Sequence, residues 1–195
     1  MTPPLTTIAT SYGISSPNAL KALSRRSSTR HYAKGQLLFS QGEPQHSITF
    51  ITSGVARTFH TDDSGNEVTN CLIDHLGMPA LPSPDLDSPA VETAEALTDL
   101  DAVLLDAKTF KTLVATDPAV ARAYQQILAE AWHYQWETKM VIRRKSALER
   151  YLWFLGEYPG LIDRISHRHV ASFLAMAPET LARVRKGLAQ RDGGK

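Results

Sequence analysis

The residues with the most pointed chemistry lie in Ser166–Leu188, SHRHVASFLAMAPETLARVRKGL. At 100° per residue, a helix over 179–188 sets Glu179, Arg183 and Lys186 on one side and Leu181, Val184 and Leu188 on the other. Arg185 lies on the flank. Arginine pairs bidentately with guanine, glutamate accepts from the cytosine amine, and flanking cations meet phosphates. Such a helix would be held to a core by three aliphatics while its mostly basic face met a DNA major groove. The plainer reading is a solvated basic face on a small helical bundle. His167, Arg168 and His169 extend the basic, phosphate-facing surface.

Other chemistries fit less well. The seven histidines raise the question of metal. His167 and His169 are two apart, however, which is not the i, i+4 pair of a helical zinc site, and no HxH-plus-Glu pattern occurs in the β-rich region. The single cysteine, Cys71, excludes a disulfide framework and a four-cysteine zinc or iron–sulfur site. In NCLI it reads as packing, with thiol sensing as the sharper alternative. There is no glycine-rich phosphate loop, no GxSxG and no catalytic carboxylate pair in a persuasive setting. No enzyme activity, cofactor or metal is expected.

The elements that would position the basic helix can be read in order. Residues 1–16, rich in Thr, Ser and Pro, read as poorly ordered. Pro17–Arg26 predicts a short helix capped by Ser16, with Leu20 and Leu23 buried. From Arg30 to Asp106, short β-rich runs alternate with turn signals, and Asp63-Ser64-Gly65-Asn66 reads as a hairpin turn. These predict an antiparallel sandwich or jelly roll. GMPALPSPDLDSP (77–89) holds four prolines in thirteen residues and reads as a loop over or beside the roll. Thr109–Ala115 predicts a short helix, and Asp117-Pro118 opens a long one. Along it, Val120, Tyr124, Ile127, Ala131, Tyr134, Thr138 and Val141 follow a 4,3 spacing, the seam of a two-stranded coiled coil. Leu128, Trp132 and Trp136 form a second stripe suited to the β domain. Burial of the first stripe in its own chain is the alternative. Arg143–Ser146 breaks the chain, and Ala147–Tyr158 predicts a helix with Leu148, Leu152 and Leu155 inward and Tyr151 and Trp153 near them. Leu161–Ile165 follows as a short strand or turn. Then come a helix His169–Leu174, a turn Ala175-Met176-Ala177, and the basic helix opened by Pro178 and Glu179.

Composition agrees with two modules. The 195 residues are 43% hydrophobic and 21% charged, an ordinary globular balance. The net charge of +1 hides an asymmetry. From Arg143 onward, eleven Lys/Arg face five Asp/Glu (+6); before it, ten face fifteen (−5). An acidic front and a basic back suit a polyanion partner at the back, unless the swing is chance. No apolar run suits a bilayer and the start lacks a secretory signal, so a cytoplasmic protein without a membrane partner is expected.

This order of elements resembles the Crp/Fnr family of bacterial transcription regulators. SALERYLWFLGEYPG and HVASFLAMAPETLARVRKGL look like the opening helix and helix-turn-helix of the family's DNA-binding domain. YAKGQLLFSQGEP and ITSGVARTFHTDDSGNEV look like its cyclic-nucleotide-binding roll. The resemblance spans roughly 32–188. It implies an α+β fold: an antiparallel β-roll over 17–116, a dimerisation helix over 117–144, and a helix-turn-helix domain over 145–195. It matches Glu179, Thr180 and Arg183 to contacting positions and Ala171 to the helix crossing. Pro178 stands where a polar contact is common, and Ala175 where glycine is, so positive φ is expected there at a cost of about 1 kcal/mol. A wing after Leu188 is expected to be reduced or absent. The implied partners are double-stranded DNA, a second copy through 117–144, and an effector, with room for RNA polymerase. The effector region places Gly77, Val91 and Thr93 at the pocket. It lacks the family's Gly-Glu pair and arginine and carries Asp85 and Asp87, so cyclic AMP is not expected. Two alternatives are a module of this fold that has lost DNA binding and a cupin-like enzyme.

Overall fold

The computed structural model describes residues 5–75 and 77–192, with side chains to residue 190. Met1–Pro4 and the last three residues, which the expected disorder and tail included, lie outside the described residues. Leu5–Ser11 (α1) corrects the expectation for the start. Leu5, Ile8 and Ala9 share a helix face and are buried against Ile14, Leu23 and Phe110. Apolar spacing there outweighs a composition rich in Thr and Pro. Pro17–Arg25 (α2) follows, with the Ser16 hydroxyl accepting from Ala19 N–H.

Eight antiparallel strands form two sheets. They are Ser27–Tyr32 (β1), Leu37–Phe39 (β2), Ser47–Ser53 (β3), Ala56–Thr61 (β4), Glu67–Ile73 (β5), Pro79–Ala80 (β6), Thr93–Ala96 (β7) and Leu100–Asp106 (β8). One sheet runs β1-β8-β3-β6 and the other β2-β7-β4-β5. Tyr32, Ile51, Ala56, Cys71, Ile73 and Leu100 fill the space between them. The β4–β5 hairpin turns at Gly65, with Asp62 accepting from Ser64 and Asn66 N–H. Gly54 permits the tight crossing after β3, because a Cβ there would lie 2.4 Å from the Asp99 carbonyl oxygen. In the proline-rich 77–89 segment only β6 pairs, at the edge of its sheet, where proline is tolerated. Gln45 and Tyr124 pin the rest through the carbonyls of Asp85 and Pro84.

Four successive residues of β4, Ala56–Phe59, are buried, because this sheet is covered on both faces. Thr58 pairs with Cys71 and Ala94 on the inner face. Arg57 pairs with Leu72 and Glu95 on the outer face, where Val55, Leu72 and Leu97 pack against the C-terminal helices. Arg57 is 1% exposed. It donates to Glu95 at 2.9 and 2.7 Å, to Thr69 Oγ1 at 3.1 Å and to Glu67, and it lies over the Phe59 ring. These bonds make burial of a guanidinium tolerable; removing a partner would be costly.

Ala107–Thr116 (α3), capped by Asp106, leads to Pro118–Arg144 (α4), capped by Asp117. At 1.5 Å per residue, α4 is about 40 Å long. Its predicted seam is corrected. Val120, Tyr124, Ile127, Thr138 and Val141 are buried within the chain, while Trp132 and Trp136, expected to pack on the roll, are 72% and 50% exposed. Ala147–Glu157 (α5) starts with the Ser146–Glu149 capping box. Its inward residues are Tyr151 and Phe154, followed by Tyr158, while Leu152 is 47% exposed. Leu148 and Leu155 stay partly buried, Leu155 against the same cluster, in which the larger aromatics join Phe173 and Trp153. Leu161–Asp163 is a 3-10 turn, where a strand or turn was expected. His167–Phe173 (α6) and Pro178–Asp192 (α7) complete the described chain, α7 running four residues past Leu188.

Candidate nucleic-acid interface and the cavity behind it

Leu181 is buried, and Val184 and Leu188 are partly buried against α5 and α6, fixing one side of α7. Glu179, Arg183 and Lys186 are exposed on the opposite side; Thr180 is half-buried. The turn before α7 is built to hold this pose. Ala175 takes φ +49°, Met176 N–H returns to Ala171 O at 3.0 Å, and Arg150 Nη1 donates to the carbonyls of Leu174 and Ala175 at 2.6 and 2.9 Å. A cation at the free carbonyls of α6 offsets part of the strain of a left-handed alanine. Sequence reasoning did not single out Arg150. Its partners lie 24 and 25 residues away, so no local pattern marks it.

The other predicted cations lie elsewhere. Arg185 Nη1 sits 2.9 Å from the His167 ring nitrogens, between α7 and the start of α6. Arg168 and His169 border a cleft with Lys34, Glu95 and Leu97 of the roll, away from Arg183 and Lys186. His169 is 6% exposed, which corrects its expected place on the open basic surface. Burial, with Arg57 beside it, pushes its pKa down to about 4, so the imidazole is neutral at pH 7. Ser172 fastens α6 to the roll: its hydroxyl accepts from Thr69 N–H at 2.9 Å and lies 3.3 Å from the Glu67 carbonyl. The Arg57 hydrogen bond holds the Glu67 carboxyl below its usual range.

Behind this dock, a cavity of about 390 Å³ opens between the inner face of β4–β5, the Met78–Leu81 stretch around β6, and α4. Its walls include Thr58, Cys71, Glu92, Ile127, Glu130 and Tyr134. Burial pushes the Cys71 thiol up to about 12, which leaves it protonated and unreactive at pH 7. The Tyr134 hydroxyl lies 2.6 Å from that of Tyr158, at the end of α5, and 3.5 Å from Leu72 N. The residues first placed at an effector pocket do not line this cavity. Val91 is 54% exposed, Thr93 Oγ1 accepts from Gln41 N–H, and Gly77 sits in a turn bonded to Ile51 O. Among the described residues, no three His, Cys, Asp or Glu side chains are grouped to hold a metal.

The cyclic nucleotide-binding domain family matches residues 29–117. The transcriptional activator protein FnrA of Stutzerimonas stutzeri is 24% identical over 181 residues, covering 84% of this chain and 73% of that protein. A structure described as a Crp/Fnr family transcriptional regulator, from Eubacterium rectale, superposes with a TM-score of 0.75 at 20% identity, over 92% of this chain and 86% of that one. The chain is similar to Crp/Fnr family regulators in sequence and shares their fold. FixK2 from Bradyrhizobium japonicum shares the same fold, with a TM-score of 0.74 at 19% identity over 85% of this chain and 86% of that one. The matched domain covers the roll, and the curated relatives that share it are transcriptional activators. None of the helices among the described residues is long and apolar enough to cross a membrane.

Proposed function

We propose that this protein is a homodimeric, cytoplasmic DNA-binding regulator that inserts α7 into the major groove of a palindromic site. The observation that carries the reading is α7 itself. Its aliphatic side is buried, its preceding turn is clamped by Arg150, and Glu179, Arg183 and Lys186 project outward. Domains over 17–116, 117–144 and 145–195 serve this scheme, with α1 added to the first. The second copy docks on the outer side of α4, where Gln125, Ala129, Trp132, Trp136 and Lys139 are exposed at a 4,3,4,3 spacing. With Arg168 and His169 turned to the roll, base and phosphate contacts concentrate on α7.

A second reading, a module of the same fold without DNA binding, draws on the same observation, since Arg185 is tied to His167 and fewer cations stand free. Fluorescence anisotropy on genomic fragments separates the two. The regulator's affinity falls steeply with salt, by about 0.9 log units per log unit of salt for each phosphate neutralised. Arg183→Ala weakens binding by about 1–3 kcal/mol at its base position, and Lys186→Ala lowers the salt slope by about 1. Absence of salt-sensitive binding, or Arg183→Ala behaving as wild type, refutes the regulator reading.

A further inference from the structure

We propose that the cavity between β4–β5 and α4 is a receptor site for a small amphiphilic cation, an amine on a compact apolar body, and that it rejects anions such as cyclic nucleotides. The inference rests on the regulator reading only in taking the ligand to be an effector. The volume, about 390 Å³, falls in the range of small-molecule sites. Ile73, Met78, Leu81 and Ile127 supply an apolar floor.

Two polar features give the site its selectivity. First, Thr58 is 6% exposed, lines the cavity, and its hydroxyl has no partner in the protein. Buried hydroxyls are nearly always paired, so this one is poised for a group entering the cavity. Second, the charged walls are acidic. Glu92 and Glu130 line the cavity and among the described residues no lysine or arginine does, while His75, also in the wall, is paired with Asp74 at 2.6 Å. The field of these carboxylates is felt locally: Glu92 adds to the upward push on the Cys71 thiol, and Glu130 to that on Tyr12, both after burial itself. A phosphodiester would lose its hydration and meet like charge with no lysine or arginine to compensate, the His75 ring being already engaged by Asp74. An ammonium would meet Glu92, while its apolar part covered Ile127 and Ile73. Tyr134 closes the wall, and its hydrogen bond to Tyr158 sets the ligand beside the α5 contact.

The test is calorimetric titration of the full chain with 2-phenylethylamine, with 3-phenylpropanoate, which has a similar shape and the opposite charge, and with cyclic AMP. The amine is expected to bind at least about tenfold tighter than either anion. Glu92→Gln should shrink that preference to about twofold or less, and Ala131→Trp, which fills the cavity from α4, should abolish amine binding. Thr58→Val, an alternative should Ala131→Trp not fold, should weaken amine binding several-fold. Equal or tighter binding of either anion overturns the proposal. So does amine binding that survives Ala131→Trp, or that is unchanged in both Glu92→Gln and Thr58→Val, or an absence of amine binding at millimolar concentration. DNA binding is scored separately. Amine binding without DNA binding sinks the regulator reading alone, and DNA binding without amine binding sinks this inference alone.

Discussion

The inner and outer sides of α4 share one helical period and meet opposite fates. Val120, Tyr124, Ile127 and Val141 face inward and are at most 9% exposed, while Trp132 and Trp136 stand out in solvent. A heptad spacing therefore shows that a helix has a face to bury without showing what buries it. Here α1–α3 and the roll claim Val120, Tyr124 and Ile127, and the indoles stay uncovered within the chain.

The comparison can be broken most forcefully from inside. Ile127→Ala should cost about 2–5 kcal/mol in urea unfolding, because its buried side chain joins the cluster of Ile8, Phe50 and Phe110 and its loss would enlarge the adjoining cavity. A loss below about 0.5 kcal/mol would mean the inner stripe is not core. From outside the effects should invert. Trp132→Ala with Trp136→Ala should leave monomer stability within about 1 kcal/mol but raise the dimer dissociation constant by at least about tenfold in sedimentation equilibrium. An unchanged dimer would place the interface elsewhere. Tyr134→Phe tests the stretch where α4 passes between roll and C-terminal helices. Loss of its bond to Tyr158 should cost about 1 kcal/mol, and a double-mutant cycle with Tyr158→Phe should show coupling.

The gentlest test is pH. His169 has a folded pKa of about 4 against an ordinary 6.5, so between these values the unfolded chain binds the extra proton. Its contribution to stability is complete above pH 6.5, is lost as pH falls, and is fully lost below about 4. Acid titration of the unfolding free energy should be shallower over that window in His169→Asn than in wild type.

Much of the fold was legible where local rules act alone: the Ser16, Asp117 and Ser146 caps, the Gly65 hairpin, and Pro178 opening α7. Ala175 with positive φ followed from the resemblance, since a glycine commonly stands there. What escaped was tertiary. Arg150, Arg57 and the burial of His169 depend on partners tens of residues away. The stripe of α4 was visible, but its partner depended on which surface covered it. On α5 the burial of Tyr151 and Leu155 was near what the spacing implied, but Leu152 turned outward because Phe154 and Tyr158 bring larger areas to the core. Gly77, Val91 and Thr93 were placed by resemblance to a motif this chain lacks, and no local pattern marks the cavity where strand faces and α4 converge.

The most direct test of the central claim is footprinting of the full chain on DNA selected from random fragments. The account predicts two protected half-sites in inverted repeat, centred about 10–10.5 base pairs or a multiple apart, both lost in Arg183→Ala. A single protected half-site, direct repeats, or no protection at low salt would contradict it.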